Sequence, residues 1–118
     1  LRIEQVVTNL LSNALRYGAG KPVRISVSQQ RGVANLRVED HGEGICAEDQ
    51  ERIFERFERL AARPHQGGLG MGLFIVREIA QAHGGSVEVQ SEPGRGSTFI
   101  VRLDAAEARP LLEAGARA

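Results

Sequence analysis

Charge of one sign, paired cysteines and long apolar runs are all missing from this chain of 118 residues. The 15 Lys and Arg residues balance 15 Asp and Glu residues, for a formal net charge of +0. The basic excess that marks a binder of phosphate backbones is therefore absent, and no nucleic-acid partner is expected. The lone cysteine, Cys46, cannot close an internal disulfide, which excludes a disulfide framework and fits a reducing compartment. No apolar stretch approaches the roughly 18 residues of a membrane span, and the first residues lack the charged, apolar and small-residue order of a signal peptide. Direct membrane contact by this domain is not expected. The histidines at 41, 65 and 83 have no metal-ligand spacing.

Glycine, by contrast, is plentiful. The 14 glycines gather at 42 and 44, at 67, 68, 70 and 72, at 84 and 85, and at 94 and 96. Between them lie periodic segments. Ile3, Val6, Val7, Leu10, Leu11, Ala14 and Leu15 recur at helical spacing, which predicts an amphipathic helix from about 1 to 17 closed by Gly18. No Ser, Thr, Asp or Asn precedes it as a cap, so the sequence reads as beginning inside a longer protein. Alternation at Val23, Ile25 and Val27, and again at Leu36 and Val38, with Arg31-Gly32 between the two runs, predicts an antiparallel hairpin with one buried face. The segment 47–60 reads as a short acidic-to-basic helical piece, and 61–70 as a mobile loop. Leu73, Ile75, Val76, Ile79 and Ala80 mark another helix, ended by Gly84. A second hairpin follows, around Pro93-Gly94-Arg95-Gly96.

The fold class is thus α+β: a two-layer sandwich in which a mixed, mostly antiparallel sheet packs on about three helices. One domain spans 1–103, and the Ala-rich 104–118, interrupted by Pro110, reads as a C-terminal tail or linker.

Three stretches can carry chemistry. On a helical wheel Arg2, Gln5, Asn9, Asn13 and Arg16 fall within about 40° of one line, opposite the apolar arc. This is either a solvated face or, since asparagine is a poor helix former, a set of hard neutral oxygen ligands for Mg²⁺. Asp40 ends a strand before Gly42 and Gly44. A DxGxG of this kind is commonly only a turn, yet a fixed carboxylate can also take a hydrogen bond from a purine amino group. Gly42, Gly44 and Ala47 satisfy the dinucleotide GxGxxG/A spacing as well, but no second parallel strand with an acidic residue follows. QGGLGMGLF, residues 66–74, runs four glycines into a helix start. That pattern suits either a hinge or a nest for a di- or triphosphate, and GxxxxGK[ST] is not present. Arg56, Arg59 and Arg63 lie nearby as solvated or phosphate-facing cations, while Phe54, Phe57 and Phe74 read as core.

In this order the elements resemble the catalytic ATP-binding domain of bacterial two-component sensor histidine kinases. The matching stretches are an N box, NLLSNALRY at 9–17; glycine boxes DHGEG at 40–44, GLGMGL at 68–73 and GRGSTF at 94–99; and an F box, IFERF at 53–57. The resemblance covers about 1–103. It implies that Asn13 ligates Mg²⁺ with Asn9 beside it, and that Arg16 and Tyr17 face the phosphates and nucleotide of ATP. It also implies that Asp40 binds the adenine amino group, with Gly42 and Gly44 making room. Gly68, Leu69, Gly70, Gly72 and Leu73 would line the phosphates, residues 58–69 would form a mobile ATP lid, and Thr98 would lie near adenine. Departures are mild: Arg16 stands for a commoner Lys, His41 for Asn, Ala47 for Pro, and Leu69 for Thr or Ser.

The wider superfamily places a glutamate base four residues before the metal-binding asparagine, and Asn9 stands there instead. An amide cannot take a proton as a carboxylate can. Transfer to a nucleophilic histidine is therefore favoured over water activation or an anti-sigma-type serine kinase. No histidine in 1–118 heads a helix with a following acidic residue and proline, so the resemblance puts the acceptor on separate dimerisation helices of the full-length protein, with a response regulator downstream. A cytoplasmic domain is implied, its parent either soluble or anchored in the inner membrane. A nucleotide-sensing module without phosphotransfer stays open, with a dinucleotide oxidoreductase a distant third.

Overall fold

The computed structural model describes residues 2–55, 72–110 and 112–113. Helix α1 spans Ile3–Tyr17 and begins on Arg2, which makes no side-chain cap; the Arg2 carbonyl accepts from the Gln5 and Val6 amides at 3.1 and 3.2 Å. Val6, Leu10 and Ala14 are its buried ridge, one residue per turn as the i, i+4 rule requires. Leu15, on the margin of the predicted stripe, is 65% exposed.

Strands β1 (Arg24–Gln30) and β2 (Val33–Asp40) form the first hairpin. Arg31 and Gly32 join them with φ of 54° and 78°, the two positive values of a type I′ turn, whose twist matches that of the flanking strands. Strands β3 (Ser86–Glu92) and β4 (Gly96–Asp104) form the second hairpin, and the sheet order is β1-β2-β4-β3 with every described pairing antiparallel. The central strands carry the core: Ala34, Leu36 and Val38 of β2 face the same side as Phe99, Val101 and Leu103 of β4. Edge strand β1 is less well covered than its alternation predicts, with Ile25 44% exposed.

Helix α2, Gly72–Ala82, packs Val76, Ile79 and Ala80 against that core, with Leu73 and Ile75 partly buried beside them. It ends at Gly84 as its sequence predicts: Gly84 has φ 72°, its amide reaches the Gln81 carbonyl at 3.1 Å, and the Gly85 amide reaches Ala80 at 2.8 Å. That is the Schellman pattern. The acidic-to-basic segment begins as two single 3-10 turns, Ala47–Asp49 and Arg52–Phe54. Tertiary contacts break the helix here: the Gln50 amide is tied to the Ile45 and Ser91 carbonyls at 2.9 and 3.0 Å. Phe54 meets Phe99 edge to face, ring centroids 6.1 Å apart.

Beyond β4 the packing continues. Ala108 is buried in the core, Leu112 packs partly buried against it, and the Leu112 amide reaches the Ala108 carbonyl at 3.0 Å.

Candidate functional site

Asp40 closes β2 with its side chain on the core face, 4% exposed. Its Oδ1 accepts from the Gly42 amide at 2.9 Å, the local Asx-type bond that lets a buried carboxylate sit at a strand end. Oδ2 makes no hydrogen bond to a described residue. The turn beyond is packed on both sides. A Cβ on Gly42 would be driven into the Tyr17 carbonyl at the end of α1, and one on Gly44, whose φ is +77°, into the Glu92 carbonyl. These two glycines therefore admit the close approach of protein backbone.

Register places a residue that the motif comparison missed. Asp40 pairs with Ser97, and Thr98 pairs with Glu39. Successive strand residues alternate faces, so Ser97 shares the core face with Asp40 and Thr98 lies on the opposite face. Ser97 is 6% exposed and its Oγ lies 2.9 Å from Ser91 Oγ. The signal was present in the alternation of Phe99, Val101 and Leu103, but Ile100 blurred it. Ile100 is buried on the outer face, beside the Arg102–Glu88 ion pair at 2.6 Å.

The other end of the site is built from α1 and α2. Asn9 Nδ2 donates to the Gly72 carbonyl at 3.3 Å, so the amide face of α1 meets the first turn of α2. Asn13, one turn on, is half-buried, as are Gln5 and Tyr17; Arg16 is exposed. Gln5 Oε1 is buried with no hydrogen-bond partner among the described residues. Gly72 opens α2, where a Cβ would lie 4.0 Å from Asn9 Cβ, whereas Leu73 turns into the core. Gly68, Leu69 and Gly70, the lid at 58–69, Phe57, and the arginines at 56, 59 and 63 lie outside the described residues.

One helix thus connects the two ends. Asp40 Cβ lies beside Gly18 at the end of α1, and from there to Asn9 is roughly 13 Å of helix at the standard rise. A buried acceptor at one end, a glycine-led helix start at the other and amide oxygens between them can bind an extended molecule with a hydrogen-bond donor on a flat head and negative charge on its tail. Among the described residues no three His, Cys, Asp or Glu gather to hold a metal. No described helix is long and apolar enough to cross a membrane.

Comparison with known proteins gives the family. The family model of the histidine kinase-, DNA gyrase B- and HSP90-like ATPases matches residues 1–107. The sensor protein SrrB of Staphylococcus aureus is 41% identical over 105 residues, which are 86% of this chain and 18% of that protein. The chain therefore spans under a fifth of the curated relatives it matches. Among solved structures, full-length ShkA in complex with AMPPNP superposes with a TM-score of 0.77 at 31% identity, over 86% of this chain and 21% of that one. The nucleotide-free catalytic domain of histidine kinase ThkA gives 0.76 at 30%, over 87% and 66%, and the mycobacterial sensor histidine kinase MprB 0.72 at 30%, over 85% and 68%. The chain belongs to the histidine kinase-, DNA gyrase B- and HSP90-like ATPase family, as a catalytic ATP-binding domain of the sensor histidine kinase type.

Proposed function

We propose that this domain binds Mg·ATP along α1 and presents the γ-phosphate to a histidine on dimerisation helices of its full-length protein, which then supplies a response regulator. The observation that carries the reading is the placement of Asp40 and Gly72 at opposite ends of one amide-bearing helix face. Asp40 accepts from the adenine amino group, with Ser97 beside it. The first turn of α2, whose leading amides have no partner within the helix, faces the phosphates. Arg16 adds positive charge at that face.

A magnesium ion fits the residues present. Asn13 offers a neutral oxygen on a half-buried face, and no described carboxylate cluster competes for the ion; a single amide ligand suits a cation that keeps most of its waters and shares phosphate oxygens. When bound, the ion neutralises charge on the transferring phosphoryl group. The chain's own residues orient the nucleotide. Asn9, already donating to Gly72, cannot accept a proton as a base would, so catalysis rests on positioning a nucleophile that needs no local base.

The test is transfer of labelled γ-phosphate from ATP to a supplied dimerisation helix bearing the acceptor histidine. Label should appear on the helix and none on the 118-residue chain alone. ATP binding without transfer would make this a nucleotide-sensing module instead.

A further inference from the structure

We propose that Ser91 is a positioning residue for base selection, acting through the proton of Ser97. The proposal rests on the nucleotide reading above and deepens it. Ser91 is the penultimate residue of β3, and its hydroxyl meets three groups: the Ile45 amide at 2.7 Å, the Gly96 carbonyl at 2.8 Å and Ser97 Oγ at 2.9 Å. A hydroxyl has one proton and two lone pairs. The Gly96 carbonyl can only accept, so it takes the Ser91 proton. The Ile45 amide can only donate, so it fills one lone pair. The remaining lone pair must accept from Ser97, whose proton is thereby turned toward Ser91.

This fixes the polarity of the base end. Ser97, directly opposite Asp40 in the ladder, keeps only acceptor capacity. A carboxylate and a hydroxyl oxygen side by side suit an exocyclic amino group, which carries two N–H donors, and meet a ring carbonyl oxygen with repulsion. Adenine presents the former and guanine the latter at the corresponding position. The same Ser91 hydroxyl also sets the height of the turn, because Ile45 follows Gly44 and Gln50 ties both the Ile45 and Ser91 carbonyls. With Ser91 removed, Ser97 regains a free proton and can donate to a carbonyl oxygen.

The experiment titrates the 118-residue chain and its variants with ATP and GTP, and follows thermal unfolding without nucleotide. Ser91→Ala should reduce the preference for ATP over GTP roughly tenfold, the size of one hydrogen bond. Ser91→Thr, which keeps the hydroxyl, should restore it, and adding Ser97→Ala to Ser91→Ala should change the preference little further. An unchanged preference in Ser91→Ala, or equal loss of both nucleotides without rescue by Ser91→Thr, overturns the proposal. If Ser91→Ala does not fold, Ser97→Ala decides: it must lower the preference by itself, and an unaltered ratio counts against the role. A wild-type chain without any preference for ATP sinks the nucleotide reading. A wild-type preference that Asp40→Ala removes and Ser91→Ala leaves intact sinks the Ser91 role alone.

Discussion

The two ends of α1 are built on different principles. At the Asp40 end the hydrogen-bonded polar atoms are buried or partly buried: Asp40 to Gly42, Ser91 to Ile45, Gly96 and Ser97, and Gln50 to Ile45 and Ser91. At the Asn9 end the helices pack through their apolar ridges, and the described side-chain hydrogen bond between them is exposed and 3.3 Å long. Buried polar networks are rigid when every member is satisfied, because breaking any bond orphans a desolvated group. Exposed bonds exchange with water at little net cost. The Asp40 end is therefore preformed by the fold, while the Asn9 end is held by a bond open to solvent.

The sharpest way to break this contrast is Gly42→Ala. Its methyl would enter the Tyr17 carbonyl, so either α1 or the turn must move, and a loss of about 2–4 kcal/mol is expected, in the range of backbone and overpacking effects. In calorimetry without nucleotide that is a fall in Tm of roughly 8 °C or more for a domain of this size. A loss below about 0.5 kcal/mol, the level of an ordinary surface change, would mean the turn is not seated as described. Asp40→Ala is expected to act on both stability and binding. It orphans the buried Gly42 amide, costing about 1–3 kcal/mol. It also removes a charged acceptor, which should weaken ATP roughly 10- to 100-fold by isothermal titration.

The Asp40 end is also where sequence and structure part. The hairpins, the helix stripes and the Schellman end at Gly84 follow from local spacing, since a turn such as Arg31-Gly32 and an i, i+4 ridge are set by neighbours in the chain. Asp40 itself was legible as a carboxylate between a strand and a glycine turn. Ser97 and Ser91 were not, because their neighbours come from segments distant in the chain: Ser97 pairs with Asp40 across the ladder, and Ser91 takes the Ile45 amide from the turn beyond β2. Ile25 shows the same limit from the other side. Its alternation predicts burial, but only the strand order reveals that it lies on an edge.

At the Asn9 end the comparison is sharpened by Asn13→Ala. Asn13 is half-buried and lies outside the hydrophobic core cluster, so the stability of the variant should stay within about 0.5 kcal/mol of the parent. Affinity for ATP in the presence of Mg²⁺ should nonetheless fall about tenfold, and the difference should vanish when the ion is chelated, since the amide oxygen then has no cation to ligate. A variant that lost stability but no Mg²⁺-dependent affinity would turn Asn13 into a structural residue and erase the contrast between the ends.

The smallest expected effect lies at the rim of the Asp40 end. The Cys46 thiol donates to Asp49 Oδ2 at 3.1 Å, and this bond, with the influence of the Glu48 carboxylate, raises the thiol above its ordinary value. The neutral thiol is the form the fold favours. That contribution is fully present below about pH 8.5, where an unfolded thiol is also protonated, and it is lost as pH rises through the higher folded value. Since the thiolate is the nucleophile, iodoacetamide should label Cys46 more slowly at pH 8 in the folded chain than in urea. Asp49→Asn should recover part of the difference, because an amide oxygen accepts more weakly than a carboxylate. Asp49 Oδ1 also holds Arg52 at 3.3 Å, so the same substitution loosens the second 3-10 turn. Arg52→Ala separates the two effects: it should leave the labelling rate nearly unchanged if the thiol bond, rather than the ordering of the turn, protects Cys46. Equal rates in folded and unfolded chains would place the boundary of the bonded network at Gln50, one residue beyond Asp49 and short of the rim.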